Sequence, residues 1–93
     1  MRGRSLSYPH AMFMTEYFIV FPEGDVQEIP GRLALNEIVD MNGRPLPLPL
    51  PDPRVIAYRV CRISTKDERG GSETYHYLDL MGIEELEGYA RRR

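Results

Sequence analysis

Ninety-three residues with one cysteine and a formal net charge of −2 describe one small domain and exclude an intramolecular disulfide framework. Five of the twelve basic residues (Arg2, Arg4, Arg91, Arg92 and Arg93) sit at the ends; between Ser5 and Ala90 seven basic residues stand against fourteen acidic ones, a net of −7. So acidic a body lacks the basic stripe that phosphate-backbone binding needs.

The terminal arginines read as solvated tails. A chain of this length buries roughly 60–65% of its unfolded surface. That leaves material for one modest core and makes self-association a natural source of extra stability.

Arg2 and Arg4 precede an apolar stretch from Ala11 to Phe21. Thr15 and Glu16 interrupt it, no small-residue cleavage site follows, and it is too short to span a bilayer. The expectation is a cytoplasmic protein without a membrane segment. Met14-Thr15-Glu16-Tyr17 offers a second candidate start beside Met1. The expected organisation is an extended or disordered N-terminal arm over 1–11, one globular domain over 12–90 and a basic tail over 91–93.

In chain order, Phe13–Phe21 is rich in aromatic and β-branched residues and ends at Pro22, which predicts a strand. Apolar residues on both of its faces suit an interior position in a sheet. Pro22-Glu23-Gly24-Asp25 predicts a turn and Val26–Ile29 a return strand. Leu33–Met41 fits two patterns. As a helix it places Ala34, Leu35, Ile38 and Met41 on one face, with Gly43 as the stop. As a strand it aligns Leu33, Leu35, Val39 and Met41, with Asn42-Gly43 as a two-residue hairpin turn.

The segment Arg44–Pro53 has proline at every odd position. In an extended strand all the missing N–H groups then lie on one edge. With Asn42-Gly43 as the turn, Met41/Arg44, Val39/Leu46 and Glu37/Leu48 form the hydrogen-bonded pairs, and Pro45 and Pro47 face outward. That register favours the hairpin, with Arg44–Leu50 as a docked edge strand or a polyproline-like strap over the core. No PxxP ligand pattern is present. Val55–Thr65 and Glu73–Leu80 predict two more strands joined by a charged loop over Lys66–Gly71, and Ile83–Ala90 a short terminal helix with Glu84 and Glu85 in its first turn.

The stretch Leu33–Gly43, read as strand then turn, resembles the strand–turn segments of small SH3-like barrels. The resemblance covers about ten residues and implies a fold only. The predicted class is mainly β: three successive hairpins, about six strands, forming a small antiparallel sheet or a partly open SH3-like barrel with a C-terminal helix. The alternative is α+β with residues 33–41 helical. The predicted core is Phe18, Val20, Ile29, Val39, Leu46, Ile56, Val60, Leu78, Leu80 and Leu86.

Little in the chain signals chemistry. His10 and His76 are the only histidines, so no metal-ligand cluster and no cofactor is predicted. Cys61 and His76 lie on strands expected to pair; as neighbours they would make a candidate nucleophile–base pair or small-molecule site. As a plain packing residue, Cys61 is expected in the core.

Tyr75 and Tyr77 share one strand face, with Arg59 and Arg62 on the preceding strand. These four residues form the candidate interaction surface, unless the tyrosines pack beneath the terminal helix. The leading expectation is a non-enzymatic interaction or regulatory module that binds an unidentified protein partner or itself. A nucleic-acid-binding small barrel, in which the tyrosines stack bases, is the alternative that the acidic body disfavours.

Overall fold

A computed structural model describes residues 13–90. The predicted arm over 1–11 and tail over 91–93 lie outside the described residues. Five strands and one helix follow in chain order: β1 (Met14–Val20), β2 (Val26–Ile29), β3 (Ile38–Val39), β4 (Tyr58–Glu68), β5 (Gly71–Leu80) and α1 (Ile83–Tyr89). They form a single curled sheet with strand order β2-β1-β5-β4-β3. The molecule is mainly β, with one C-terminal helix.

Two local hairpins build most of this sheet. β1 and β2 pair antiparallel from Tyr17↔Ile29 to Val20↔Val26. The Pro22–Asp25 turn closes with the Phe21 N–H on the Asp25 carbonyl at 2.9 Å. β4 and β5 pair antiparallel from Tyr58↔Leu80 to Glu68↔Gly71. The charged segment expected as a loop over Lys66–Gly71 is strand up to Glu68, and only Arg69 and Gly70 turn.

The two hairpins meet through β1 and β5, which run parallel from Met14↔Gly71 to Val20↔Tyr77. The sheet is therefore mixed rather than purely antiparallel, and β1 is interior as its two apolar faces require. Gly71 permits the junction: a Cβ there would collide with the Met14 carbonyl oxygen.

The segment 33–41 is neither helix nor long strand. Ala34–Glu37 is a tight turn in which the Glu37 N–H returns to the Ala34 carbonyl at 3.1 Å and the Glu37 carboxylate accepts from the Ala34 N–H at 2.9 Å. Asn36 takes a left-handed conformation, φ 71°, which asparagine tolerates better than most residues. Bonds from Asn36 N–H to the Val60 carbonyl and from Val60 N–H to the Glu37 carbonyl tie the turn to β4. A helix this short gains few intrahelical bonds, and these contacts replace them. Leu35 and Met41, both assigned to the apolar face, are exposed. The segment behind the SH3-like resemblance is thus a tight turn and a two-residue strand.

The predicted two-residue Asn42-Gly43 turn is a three-residue loop, Met41-Asn42-Gly43, with the register one residue away from the expected one: Val39 opposes Pro45 instead of Leu46. Asp40 sets it. Its Oδ1 accepts from the Asn42 and Arg44 amides at 2.8 and 2.9 Å, and its own N–H donates to the Arg44 carbonyl. A type I′ turn needs positive φ at both central residues; here only Gly43 has it, at 81°.

Pro45 still falls at a non-hydrogen-bonded position, since the flanking bonds are Asp40 N–H to Arg44 and Leu46 N–H to Ile38. Beyond Leu46 the expected edge strand does not form. The proline run crosses as a strap to Leu50, whose N–H donates to the Tyr89 carbonyl at the helix end at 2.7 Å.

Two apolar clusters result. The first holds Ile19, Ile29, Leu33, Val39, Val60 and Leu78, with Tyr17, Phe21, Tyr58 and Ile63 at its margin. The second holds Ile38, Leu50, Ala57, Met81 and Leu86. Strand alternation puts them on opposite faces of the sheet: Val39 and Ile38 are sequence neighbours and belong to different clusters. Of the predicted core, Ile56 and Leu80 are exposed, at 57% and 60%, because Ala57 and Met81 occupy the inward positions. Phe18 and Val20 are only partly covered.

Candidate functional site

The face of β1 and β5 opposite the first cluster carries the candidate surface. Pairing register arranges it in rows across the strands. Val26, Val20, Tyr77 and Arg62 form one row, and Glu28, Phe18, Tyr75 and Ser64 the next; Glu16, Glu73 and Lys66 form a third. The Phe18 and Tyr75 rings stack, with centroids 5.0 Å apart and planes inclined by 17°. The Arg62 guanidinium lies 3.9 Å from the centre of the Tyr77 ring, a cation–π contact. The Tyr75 hydroxyl donates to Glu73 Oε1 at 3.0 Å; that bond first, then desolvation, pushes the phenol above its ordinary pKa.

Helix α1 does not cover these tyrosines. It docks at the far end of the same sheet face, where Leu86 enters the second cluster. Arg59 belongs to that end: its Nη1 meets Glu85 Oε2 at 2.7 Å. The structure therefore brings Tyr75, Tyr77 and Arg62 together and diverts Arg59 to the helix. Phe18 and Val20, assigned from sequence to the core, complete the patch. The apolar character of both β1 faces was the signal for them, but sequence did not say which face the helix would leave open.

Cys61 and His76 do not meet. A bulge between Val60 and Arg62 leaves Cys61 unpaired on β4. It is exposed instead of in the core, with Sγ donating to the Tyr77 carbonyl at 3.3 Å. Partial burial of the sulfur, followed by the Asp79 carboxylate, pushes its thiol pKa up, away from the depressed values of reactive thiols.

His76 lies on the other face and is fully buried. The Leu33 N–H donates to its Nε2 at 3.0 Å, so Nδ1 carries the proton and donates to the Phe18 carbonyl at 2.8 Å. Both ring nitrogens are committed to backbone, and the residue is a structural clamp between β5, β1 and the loop before β3. Among the described residues no three His, Cys, Asp or Glu side chains converge as metal ligands, and no helix is long and apolar enough to cross a membrane.

A family model described as "Uncharacterised Treponema protein" matches residues 13–89. The chain belongs to that family. The match spans every strand and the helix, so the outer sheet face lies wholly within the family's domain. No curated protein matches the chain, and no solved structure matches it.

Proposed function

We propose that the protein is a non-enzymatic interaction module of the cytoplasm that self-associates through the outer sheet face of Phe18, Val20, Tyr75, Tyr77 and Arg62. The observation that carries this reading is a half-buried aromatic patch on the outer sheet face: a stacked pair and an arginine-capped tyrosine, away from the second cluster where the helix docks. Aromatic residues and arginine are the side chains most enriched in interface cores.

Charge supports a second copy as the partner. Glu16 and Glu28 lie toward the β1–β2 side of the face, and Arg62 and Lys66 lie on β4. A two-fold axis running along the strands lays each side over the opposite side of the partner, which satisfies an isologous interface. A free thiol at Cys61 suits a reducing compartment. Base stacking is less well supported, because Glu73 and Glu28 stand beside the rings and Arg59 is engaged by Glu85. Catalysis by Cys61 and His76 has no support in their placement on opposite faces.

Light scattering across a wide concentration range tests the reading. The expected result is a concentration-dependent dimer. R62E/K66E and E16K/E28K should each be monomeric alone, and their mixture should recover a dimer. A strict monomer at every concentration, or a dimer indifferent to these reversals, overturns the proposal.

A further inference from the structure

The curl of the sheet brings its two edges toward each other without closing them. Edge strand β2 and the loop after β3 face across a cleft of about 500 Å³. That volume suits a small molecule, and the open mouth of a barrel-like sheet is a common place for one. The walls are apolar at Ile29, Leu33 and Pro45 and polar at Gln27 and Asn42, and two arginines, Arg32 and Arg44, line the rim. Neither guanidinium meets a carboxylate within ion-pair distance among the described residues. On a body with twice as many acidic as basic residues, two uncompensated arginines on one cleft are a local reversal of charge. The lining holds one carboxylate residue, Glu28, whose register with Phe18 directs it to the outer sheet face, away from Ile29.

Both arginines stand on backbone that is already fixed. Arg44 follows the Asp40-centred loop, where Asp40 Oδ1 holds the Arg44 amide at 2.9 Å. The loop is seated on the core at Gly43: a Cβ there would lie 3.0 Å from both Ile19 Cδ1 and Ile29 Cγ2. Gln27 Nε2 reaches across to the Asn42 carbonyl at 3.4 Å and spans the mouth. Arg32 precedes Leu33, whose amide is held by buried His76 at 3.0 Å. Such anchoring lowers the ordering cost of binding, and planar guanidinium groups match carboxylate and phosphate oxygens.

We infer that this cleft binds a small organic anion, with its apolar body against Ile29, Leu33 and Pro45 and its carboxylate or phosphate between Arg32 and Arg44. The site is separate from the self-association face, and neither reading depends on the other.

The test is amide-resolved NMR titration of the full chain with three matched probes: 2-naphthoate, 2-naphthyl phosphate and neutral 2-naphthamide. Saturable shifts are expected at Gly31, Arg32, Gly43 and Arg44 for at least one of the two anions, and the better of the two identifies the head group. The amide should bind about tenfold more weakly or not at all. R32Q/R44Q should lose about tenfold in affinity for the preferred anion. R69Q, an equal kind of charge loss at the β4–β5 turn, should leave binding unchanged. Equal affinity for the amide, equal loss in R69Q, shifts centred on Phe18 and Tyr77, or no saturable shift with either anion overturns the proposal. R32K/R44K, which keeps the charge, should bind more tightly than R32Q/R44Q; if it does not, charge is not what the site reads.

Discussion

His76 is the residue on which the most backbone depends. Replacing it with phenylalanine keeps a flat, somewhat larger ring in the buried site but leaves the Leu33 N–H and the Phe18 carbonyl without their partner. An orphaned buried group costs about 1–3 kcal/mol, so H76F is expected to lower unfolding stability by at least that much in urea titration. A loss under about 0.5 kcal/mol would mean that the two backbone groups find other partners and that the ring's hydrogen bonds do not hold the strands together. Gly43 is constrained in two ways, by its positive φ and by its contact with Ile19 and Ile29. G43A is expected to cost about 1–3 kcal/mol by the same measurement.

Neither effect could be seen from residue type alone. Strand alternation puts His76 on one face with Thr74 and Leu78, but its partners lie 43 and 58 positions away.

Among the elements, the terminal helix has the least stability of its own. Seven residues with Gly88 near the end make a helix only when docked. Leu86 in the second cluster, the Leu50–Tyr89 bond and the Arg59–Glu85 pair hold it. The Glu85 carboxylate is kept below its ordinary pKa, first by the Arg59 hydrogen bond and then by the Gly82 amide.

A lowered folded value means that this contribution is fully present above the unfolded carboxylate pKa and is lost as pH falls through the folded one. E85Q should therefore be less stable than wild type at neutral pH, and the difference should shrink on acidification. Urea midpoints at neutral and acidic pH check this; a constant difference would show that the pair's ionisation is not involved.

The ends of the elements were less legible than the elements themselves. β1, β2 and the helix lie close to where periodicity put them, because aromatic and β-branched runs and the Pro22 and Gly82 breaks are local signals. In the segment 33–50 the antiparallel return after Gly43 and the proline strap were legible, but the turn at 34–37 and the register were not, because the Glu37 and Asp40 side chains capture nearby amides.

At the scale of the whole molecule, the parallel pairing of β1 with β5 joins chain regions more than fifty residues apart. It divides the apolar residues between two faces, and both clusters draw on β3 and on the chain at the β4 and β5 ends that meet it: Ile38 beside Val39, Ala57 near Val60, Met81 near Leu78. Loosening one cluster should loosen the other. L86V, in the second cluster, is expected to cost about 1 kcal/mol. It should shift the far-ultraviolet circular dichroism and tyrosine fluorescence transitions by the same amount, although the tyrosines at the cluster margin, Tyr17 and Tyr58, belong to the first. Separated transitions would show two independent units.

Composition, alternation and turn residues by themselves determined a small mainly β chain, its first and last hairpins, its terminal helix and the shared face of Tyr75 and Tyr77. These follow from signals within a few residues of one another. Tertiary structure alone decided that β1 lies parallel beside β5, that the helix covers Arg59 and leaves the tyrosines open, and that Cys61 and His76 face apart. It also set Arg32 and Arg44 on one cleft. Each of these outcomes depends on which distant backbone edge meets which, and that is settled by the joint burial of two clusters rather than by any local preference.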